Sequence, residues 1–342
     1  MNHRTARRVA STAYRVMILA ASCVALSISA FAQENAARYT GDPRTIAHDF
    51  LDLEKDFGAR PEHHATVNRI INRALAEVPV KPDAATADAV RTLQAIDAVL
   101  RAEGFSFKDN LLLSVGIARK QIDCDNYCAL YVAIAEVMKI PLVPVYAPDH
   151  SFVRYYFSDG SFLNWEPTQG KSLPDSFYVK AKGIAQPSIE KGVYLKALSR
   201  KEFVAVEYNN IGAHLIMAKK LREAVTYLSA AIAFYPAFSS AWHNRGSARL
   251  ALAMLPEARS DLETAVGLDP LRATSRTALG DAYSDLREYQ KAVQHYAASI
   301  KLDPTNHIPY HNMAVAMQRL GRDGDARAWE KKAKEIRAKY GR

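Results

Sequence analysis

A period of 34 residues organises the C-terminal part of this chain and limits its possible folds more than any other feature. Gly212, Gly246 and Gly280 are spaced by 34, with Ala314 next in phase. Ala224, Ala258, Ala292 and Ala326 make a second series, and Pro236, Pro270 and Pro304 a third. Bulky positions keep the same phase: Tyr208, Trp242 and Tyr310, then Leu228, Leu262 and Tyr296. A unit of this length is one supersecondary element that buries its apolar face by stacking on its neighbours.

Each series has a physical reason. Gly and Ala mark places where paired helices approach so closely that a larger side chain would push them apart. Pro stops the second helix of each unit, because it lacks an amide donor and clashes with the preceding turn. The units are read as 205–238, 239–272, 273–306 and 307–340. In the last, Ala314 replaces Gly, Glu330 stands where Tyr296 stands in the unit before, and no final Pro follows. Its second helix, DARAWEKKAKEIRAKY, is highly charged and suits a capping end with a solvated face. The pattern resembles the tetratricopeptide repeat, in which each unit is a helix pair. That resemblance implies an all-α solenoid with a concave groove for a protein or peptide ligand. The groove positions expected are Asn209, Ala213, Ser240, His243, Ser247, Thr277, Asp281, His311 and Gln318. They are neutral and mixed, without the Lys/Arg pairs that grip a peptide carboxylate.

The first 32 residues read as a bacterial Sec-type signal peptide. Arg4, Arg7, Arg8 and Arg15 form a basic start, VMILAASCVALSISA is apolar, and Ala30-Phe31-Ala32 is a small-x-small cleavage site. Cleavage after Ala32 would place the protein in the periplasm or outside the cell, with no stable membrane insertion afterwards. Cys23 as a lipidation site and Arg7-Arg8 as a twin-arginine signal fit less well, because VALSISAFA follows Cys23 and Ala6 precedes the arginine pair. Four of the 45 Lys+Arg and none of the 36 Asp+Glu lie in this leader, so the net charge falls from +9 to +5 without it. That mild balance argues against a nucleic-acid footprint.

Between leader and repeats the periodicity changes. Residues 44–57, 62–77 and 84–103 read as amphipathic helices, interrupted at Gly58, Pro61, Pro82 and Gly104. LLLSVGIARKQID leads to the helix CDNYCALYVAIAEVM, apolar on most faces and therefore central. LVPVYA, SFVRYYF and SFLNW read as three strands, the last two joined through Ser158-Asp159-Gly160. The division expected is a leader at 1–32, an N-terminal helical segment at 33–83, an α+β domain at 84–198 and four repeats at 199–342.

Three residues of the α+β segment carry chemistry by their order. Cys124 opens the apolar helix, His150 opens a strand, and Glu166 ends the next strand. A thiol nucleophile, an imidazole base and a carboxylate that fixes the imidazole's tautomer are the parts of papain-type catalysis. Asp123 is the expected N-cap. Helix-start amides favour a thiolate at Cys124, whereas the charge of Asp123 opposes it, so a cationic His150 would have to dominate. A three-residue loop at 158–160 would set Phe157 opposite Ser161 and Phe152 opposite Glu166, leaving His150 diagonal to Glu166 at about 7–8 Å between Cα atoms. A two-residue turn would put Glu166 on the other face from His150. Cys128, one turn below Cys124, reads as a small buried hydrophobe. A Cys124–Cys128 disulfide would block the nucleophile, and its Cβ vectors are poorly aimed for a bridge. A zinc site from Cys124, Cys128 and His150 would lack a fourth ligand. No cofactor or metal is expected.

Here a second resemblance enters. Residues 121–170 resemble the core of the transglutaminase-like superfamily, which shares the papain-like arrangement. The matching stretches are Cys124-Asp125-Asn126-Tyr127-Cys128-Ala129-Leu130, Lys139-Ile140-Pro141-Leu142, His150-Ser151-Phe152-Val153 and Glu166-Pro167-Thr168. Glu166 stands for the usual Asp, Arg154 where the family often has an acid, and Asp123 for a Gly. The fold class this implies is a papain/transglutaminase-like α+β domain followed by an all-α tetratricopeptide-repeat solenoid. The activity implied is a thiol hydrolase or acyl transferase acting on an amide, with catalytic residues Cys124, His150 and Glu166 and a protein substrate recruited by the repeats. The competing function is a non-catalytic periplasmic adaptor that binds its partner through the repeats.

Overall fold

The structure, a computed structural model, describes residues 39–109 and 112–341. The leader, Cys23 and the cleavage site lie outside the described residues. The first helices are α1 (Ile46–Leu53), α2 (Pro61–Glu77) and α3 (Thr86–Ala102). Their apolar positions recur every three or four residues and all face inward: Ile46, Phe50 and Leu51; Val67, Ile70, Ile71 and Ala74; Leu93, Ile96, Val99 and Leu100. Gly58, at φ +108°, ends the 3₁₀ turn Lys55–Phe57, and Pro61 starts α2 at a position where its missing amide costs nothing.

A short parallel pair, β1 (Ser106–Phe107) and β2 (Gln121–Ile122), brackets α4 (Leu113–Arg119). Helix α5 (Cys124–Met138) follows and is buried at every residue from Asp125 to Ala135. It packs on the antiparallel sheet β3 (Leu142–Ala147), β4 (His150–Tyr156), β5 (Phe162–Glu166) and β6 (Lys171–Ser172), which lie in that order. Tyr156 pairs with Phe162 and Val153 with Trp165, and the Phe157 amide donates to the Ser161 carbonyl at 2.9 Å. The loop between β4 and β5 is therefore Ser158–Gly160, three residues long, with Gly160 at φ +84°. One step further along this register sets Phe152 opposite Glu166, as the sequence arithmetic expects. Two short helices, α6 (Asp175–Lys182) and α7 (Gln186–Glu190), lead to the repeats.

Four helix pairs complete the chain: α8 (Arg200–Met217) with α9 (Leu221–Phe234), α10 (Ser239–Ala251) with α11 (Leu255–Leu268), α12 (Ala273–Asp285) with α13 (Tyr289–Leu302), and α14 (Ile308–Arg319) with α15 (Asp323–Tyr340). Each pair is joined by a short link whose middle residue is left-handed: Lys219, Ala253, Arg287 and Gly321. The glycine series closes against the bulky series of the facing helix. A Cβ on Gly212 would sit 2.5 Å from Leu228, on Gly246 2.7 Å from Leu262, and on Gly280 2.5 Å from Tyr296. Helices approach this closely only where one side chain is absent. The last helix, α15, buries Ala333 alone, in keeping with a solvated end.

The chain is mostly helical, with fifteen α-helices and two small sheets among the described residues. One apolar core extends from Tyr39 through the sheet to Ala241 and includes Phe203, Val206 and Ile232 of the first repeat, whose Ile211, Leu215, Ala224 and Leu228 form a small cluster of their own with Leu112. Phe50 of α1 packs on Phe203 of α8 at 5.2 Å between ring centroids. A second core, from Leu262 to Met317, belongs to the later repeats.

Candidate active site

Cys124 is the first residue of α5, and Asp123 caps that helix by accepting from the Asn126 amide at 2.9 Å. His150 is the first residue of β4, paired across the Pro148–Asp149 turn with Ala147. Glu166 is the last residue of β5. The sheet register brings the last two together: His150 Nε2 donates to Glu166 Oε2 at 2.6 Å. Helix α5 packs on β4, and the Ser151 backbone, next after His150, lies close enough to the Cys124 sulfur to lower its pKa. The structure thus joins His150 to Glu166 directly and places Cys124 beside Ser151, the residue that follows His150.

The carboxylate is well provided. Glu166 is 1% exposed and accepts from His150, from the Thr168 hydroxyl at 2.6 Å and from the Tyr178 hydroxyl at 3.2 Å. Burial alone would raise its pKa, but the hydrogen bond and charge of His150, together with the Thr168 hydroxyl and amide, outweigh burial and hold it below the usual carboxylate value. An ionised Glu166 fixes hydrogen on His150 Nε2 and leaves Nδ1 as the basic nitrogen. Tyr178 also stacks on Phe152 at 4.0 Å and lies beside the His150 ring at 6.1 Å. Sequence reading missed it. It lies in a mixed segment without periodicity, and only its pairing with Glu166 in three dimensions reveals its place.

The thiol is in a different condition. Burial pushes the Cys124 pKa well above the ordinary value, the carboxylates Asp125 and Asp123 push it further, and the Ser151 amide only partly offsets them. Asp125 Oδ1 lies 4.0 Å from the sulfur and also accepts from the Ser151 hydroxyl. The helix-start amides therefore lose to desolvation and like charge, and the resting group is a neutral thiol. Cys124 is half-buried, Cys128 fully buried, and both are free thiols.

The first repeat reaches this region directly. Asn210 of α8 donates to Asp125 Oδ2 at 3.1 Å. One turn earlier Glu207 is fully buried and faces Glu54, whose oxygens accept from the Leu113 and Ser114 amides at 2.7 Å. Burial first, then the charge of Glu54, raise the Glu207 pKa well above its usual value. Burial raises the Glu54 pKa too, but its backbone donors offset part of that rise. Further along the array, Ser240 bonds to the Tyr146 hydroxyl at 3.2 Å, and Arg272 donates to Asp149 at 2.9 Å. Burial and the Arg272 cation hold the nearby His243 imidazole down to about 4. The expectation that Ser240 and His243 line an open groove is therefore corrected: the chain's own β3–β4 turn packs there. Asn209 and Thr277 are buried too, spent on Asn244 and Ser299, while His311 and Gln318 stand exposed.

A family model described as TPR repeat matches residues 280–321. The Hsp70-Hsp90 organizing protein of Triticum aestivum is 30% identical over 115 residues, which is 32% of this chain and 20% of that protein. Hsp70-Hsp90 organizing protein 3 of Arabidopsis thaliana is 31% identical over 115 residues, 32% of this chain and 21% of its own length. The chain spans about a fifth of the length of these curated relatives. Among solved structures, MamA from Desulfovibrio magneticus RS-1 aligns with a TM-score of 0.38 at 20% identity, over 40% of this chain and 76% of that one. The first TPR of Spaghetti (RPAP3) bound to an HSP90 peptide aligns with a TM-score of 0.34 at 23% identity, over 34% and 93% respectively.

Proposed function

We propose that this protein works chiefly as an adaptor that binds a protein or peptide partner through the later repeats. The observation that carries this is the state of the concave helices. The early ones are covered by the chain's own sheet, whereas α14 leaves His311, Val315 and Gln318 exposed beside α15. His311 and Glu330 pair at 2.9 Å across that surface, so the face is polar and near neutral rather than a basic carboxylate clamp. A photo-crosslinking residue at Gln318 is expected to capture one discrete partner in the native cells, with the same adduct from His311. Capture no stronger than from Lys332, or different adducts at each position, would remove the reading.

A second reading rests on one specific observation, the 2.6 Å bond between His150 and Glu166 beside a thiol. On this reading the sheet and α5 form a transglutaminase-like, papain-like domain. Cys124 attacks an amide carbonyl, its proton passes to His150 Nδ1, and the imidazolium, steadied by Glu166, returns it to the leaving amine. Water or an amine then takes the acyl group, giving hydrolysis or transfer. Because the resting thiol is neutral, His150 must take the proton during attack rather than hold a preformed ion pair. Iodoacetamide with peptide mapping tests this. At pH 7 Cys124 should react about a hundredfold faster than in His150→Ala, and Cys128 should not react; equal rates in the two proteins would sink it.

The location proposed is the periplasm or outside the cell, after cleavage behind Ala32. Fractionation and N-terminal sequencing would show a mature chain beginning at Gln33; a chain retaining residues 1–32 in the cytoplasm would overturn this.

A further inference from the structure

His150 sits between two residues that are each fastened to the repeat array. Before it, Asp149 is the second residue of a two-residue turn and lies at φ +51°, a region that residues other than glycine enter at a cost. Its carboxylate accepts from the Arg272 guanidinium, which also donates to Ser240 at 3.1 Å and to Thr274 at 3.3 Å. Arg272 is itself largely buried, at 16% side-chain exposure. After His150, Ser151 donates its hydroxyl to Asp125, whose Oδ1 lies 4.0 Å from the Cys124 sulfur. Asp125 in turn is held by Asn210 of the first repeat. The strand end that carries the imidazole is thus anchored on one side by α8 and on the other by Arg272, the residue just before α12.

We infer that the repeat array is the positioning frame of the thiol site, with Arg272 acting through Asp149 as a positioning residue for His150. The inference rests on the thiol reading above. A planar guanidinium with three partners holds a turn in one orientation; a lysine ammonium at the same place makes fewer of these bonds and leaves the turn freer to rotate. Loss of the clamp moves the imidazole relative to the sulfur, and general-base assistance falls steeply with such displacement. Nothing here requires Arg272 to touch a substrate.

The test needs no substrate. The full-length protein is alkylated with iodoacetamide from pH 5 to 9, and the rate at Cys124 is read by peptide mapping. His150→Ala is expected to lower the rate at pH 7 about a hundredfold and leave the simple profile of an isolated thiol. Asp149→Asn and Arg272→Lys should each lower it about tenfold and bend the profile towards that of His150→Ala, with melting temperatures close to wild type. Asp149→Glu, which restores the carboxylate, should recover most of the rate. Asp149 is exposed at its rim, so its substitution leaves the fold in place even where Arg272 variants do not. If His150→Ala departs from wild type while Asp149→Asn superimposes on it, the positioning role is overturned and the thiol reading stands. If His150→Ala itself superimposes on wild type, both are overturned.

Discussion

The first and third repeats are built from one pattern and put to different use. In both, a glycine on the first helix closes against a bulky residue on the second: Gly212 against Leu228, Gly280 against Tyr296. Yet α8 is drawn into the core of the sheet-bearing region and carries buried polar groups, Glu207 and Asn210, that face the start of α5. Helix α12 belongs to the separate core of the later repeats. A periodic sequence therefore specifies the helix pair. What the pair's concave face does depends on which non-repeated side chains it meets.

The sharpest way to break this comparison is to overpack the two glycines separately. Gly212→Leu and Gly280→Leu should each cost about 3 kcal/mol, because neither Leu228 nor Tyr296 has room to retreat. Only Gly212→Leu should also change the alkylation rate of Cys124. Equal effects of both on Cys124, measured beside denaturant melts, would mean that the array responds as one body. A pH-dependent effect of about 3 kcal/mol between pH 7 and pH 4 is expected at His243. Its folded value is lowered to about 4, so its contribution is present above the ordinary value of 6.5 and is lost as pH falls from there towards 4. His243→Gln should remove that part of the acid sensitivity, as read from melting temperatures at pH 4 and 7. A smaller effect is expected from Glu207→Gln, about 1–2 kcal/mol of added stability at pH 8. The sign follows from the raised pKa of Glu207, next to Glu54 with Asp123 and Asp125 beyond. The folded state binds its proton more tightly than the unfolded chain, so stability is fully present below about pH 4.5 and is lost as pH rises through the folded value. Urea melts from pH 4 to 8 should show that loss in wild type and a flatter line in the variant.

Much of this was legible beforehand because it is local. The glycine and bulky series lie 16 residues apart within one unit, and the Ser158–Gly160 loop fixes the parity of two neighbouring strands. From those short spans alone, Glu166 falls on the same face as His150. Tyr178 was not legible, since its bond to Glu166 comes from a segment without periodicity. Nor were the contacts between Asn210 and Asp125, 85 residues apart, or between Arg272 and Asp149, 123 apart. Single polar side chains joined over such distances leave no pattern in sequence. For the same reason Ser240 and His243 looked like groove residues: repeat phase places them on the concave side but says nothing of what already lies there.

The extended core also has a consequence in time. A chain is synthesised from its first residue, and α1 waits a long while for its cover, since Asp49 meets Arg200 across 151 residues. Phe50 and Glu54 likewise gain part of their cover from α8, through Phe203 and Glu207. Contacts this distant along the chain make for slow folding and leave apolar surface open meanwhile. The Cys124 neighbourhood is accordingly completed late, when the first repeat has been made. A circular permutant beginning at residue 199 would reverse the order and deliver the cover before the surface it protects.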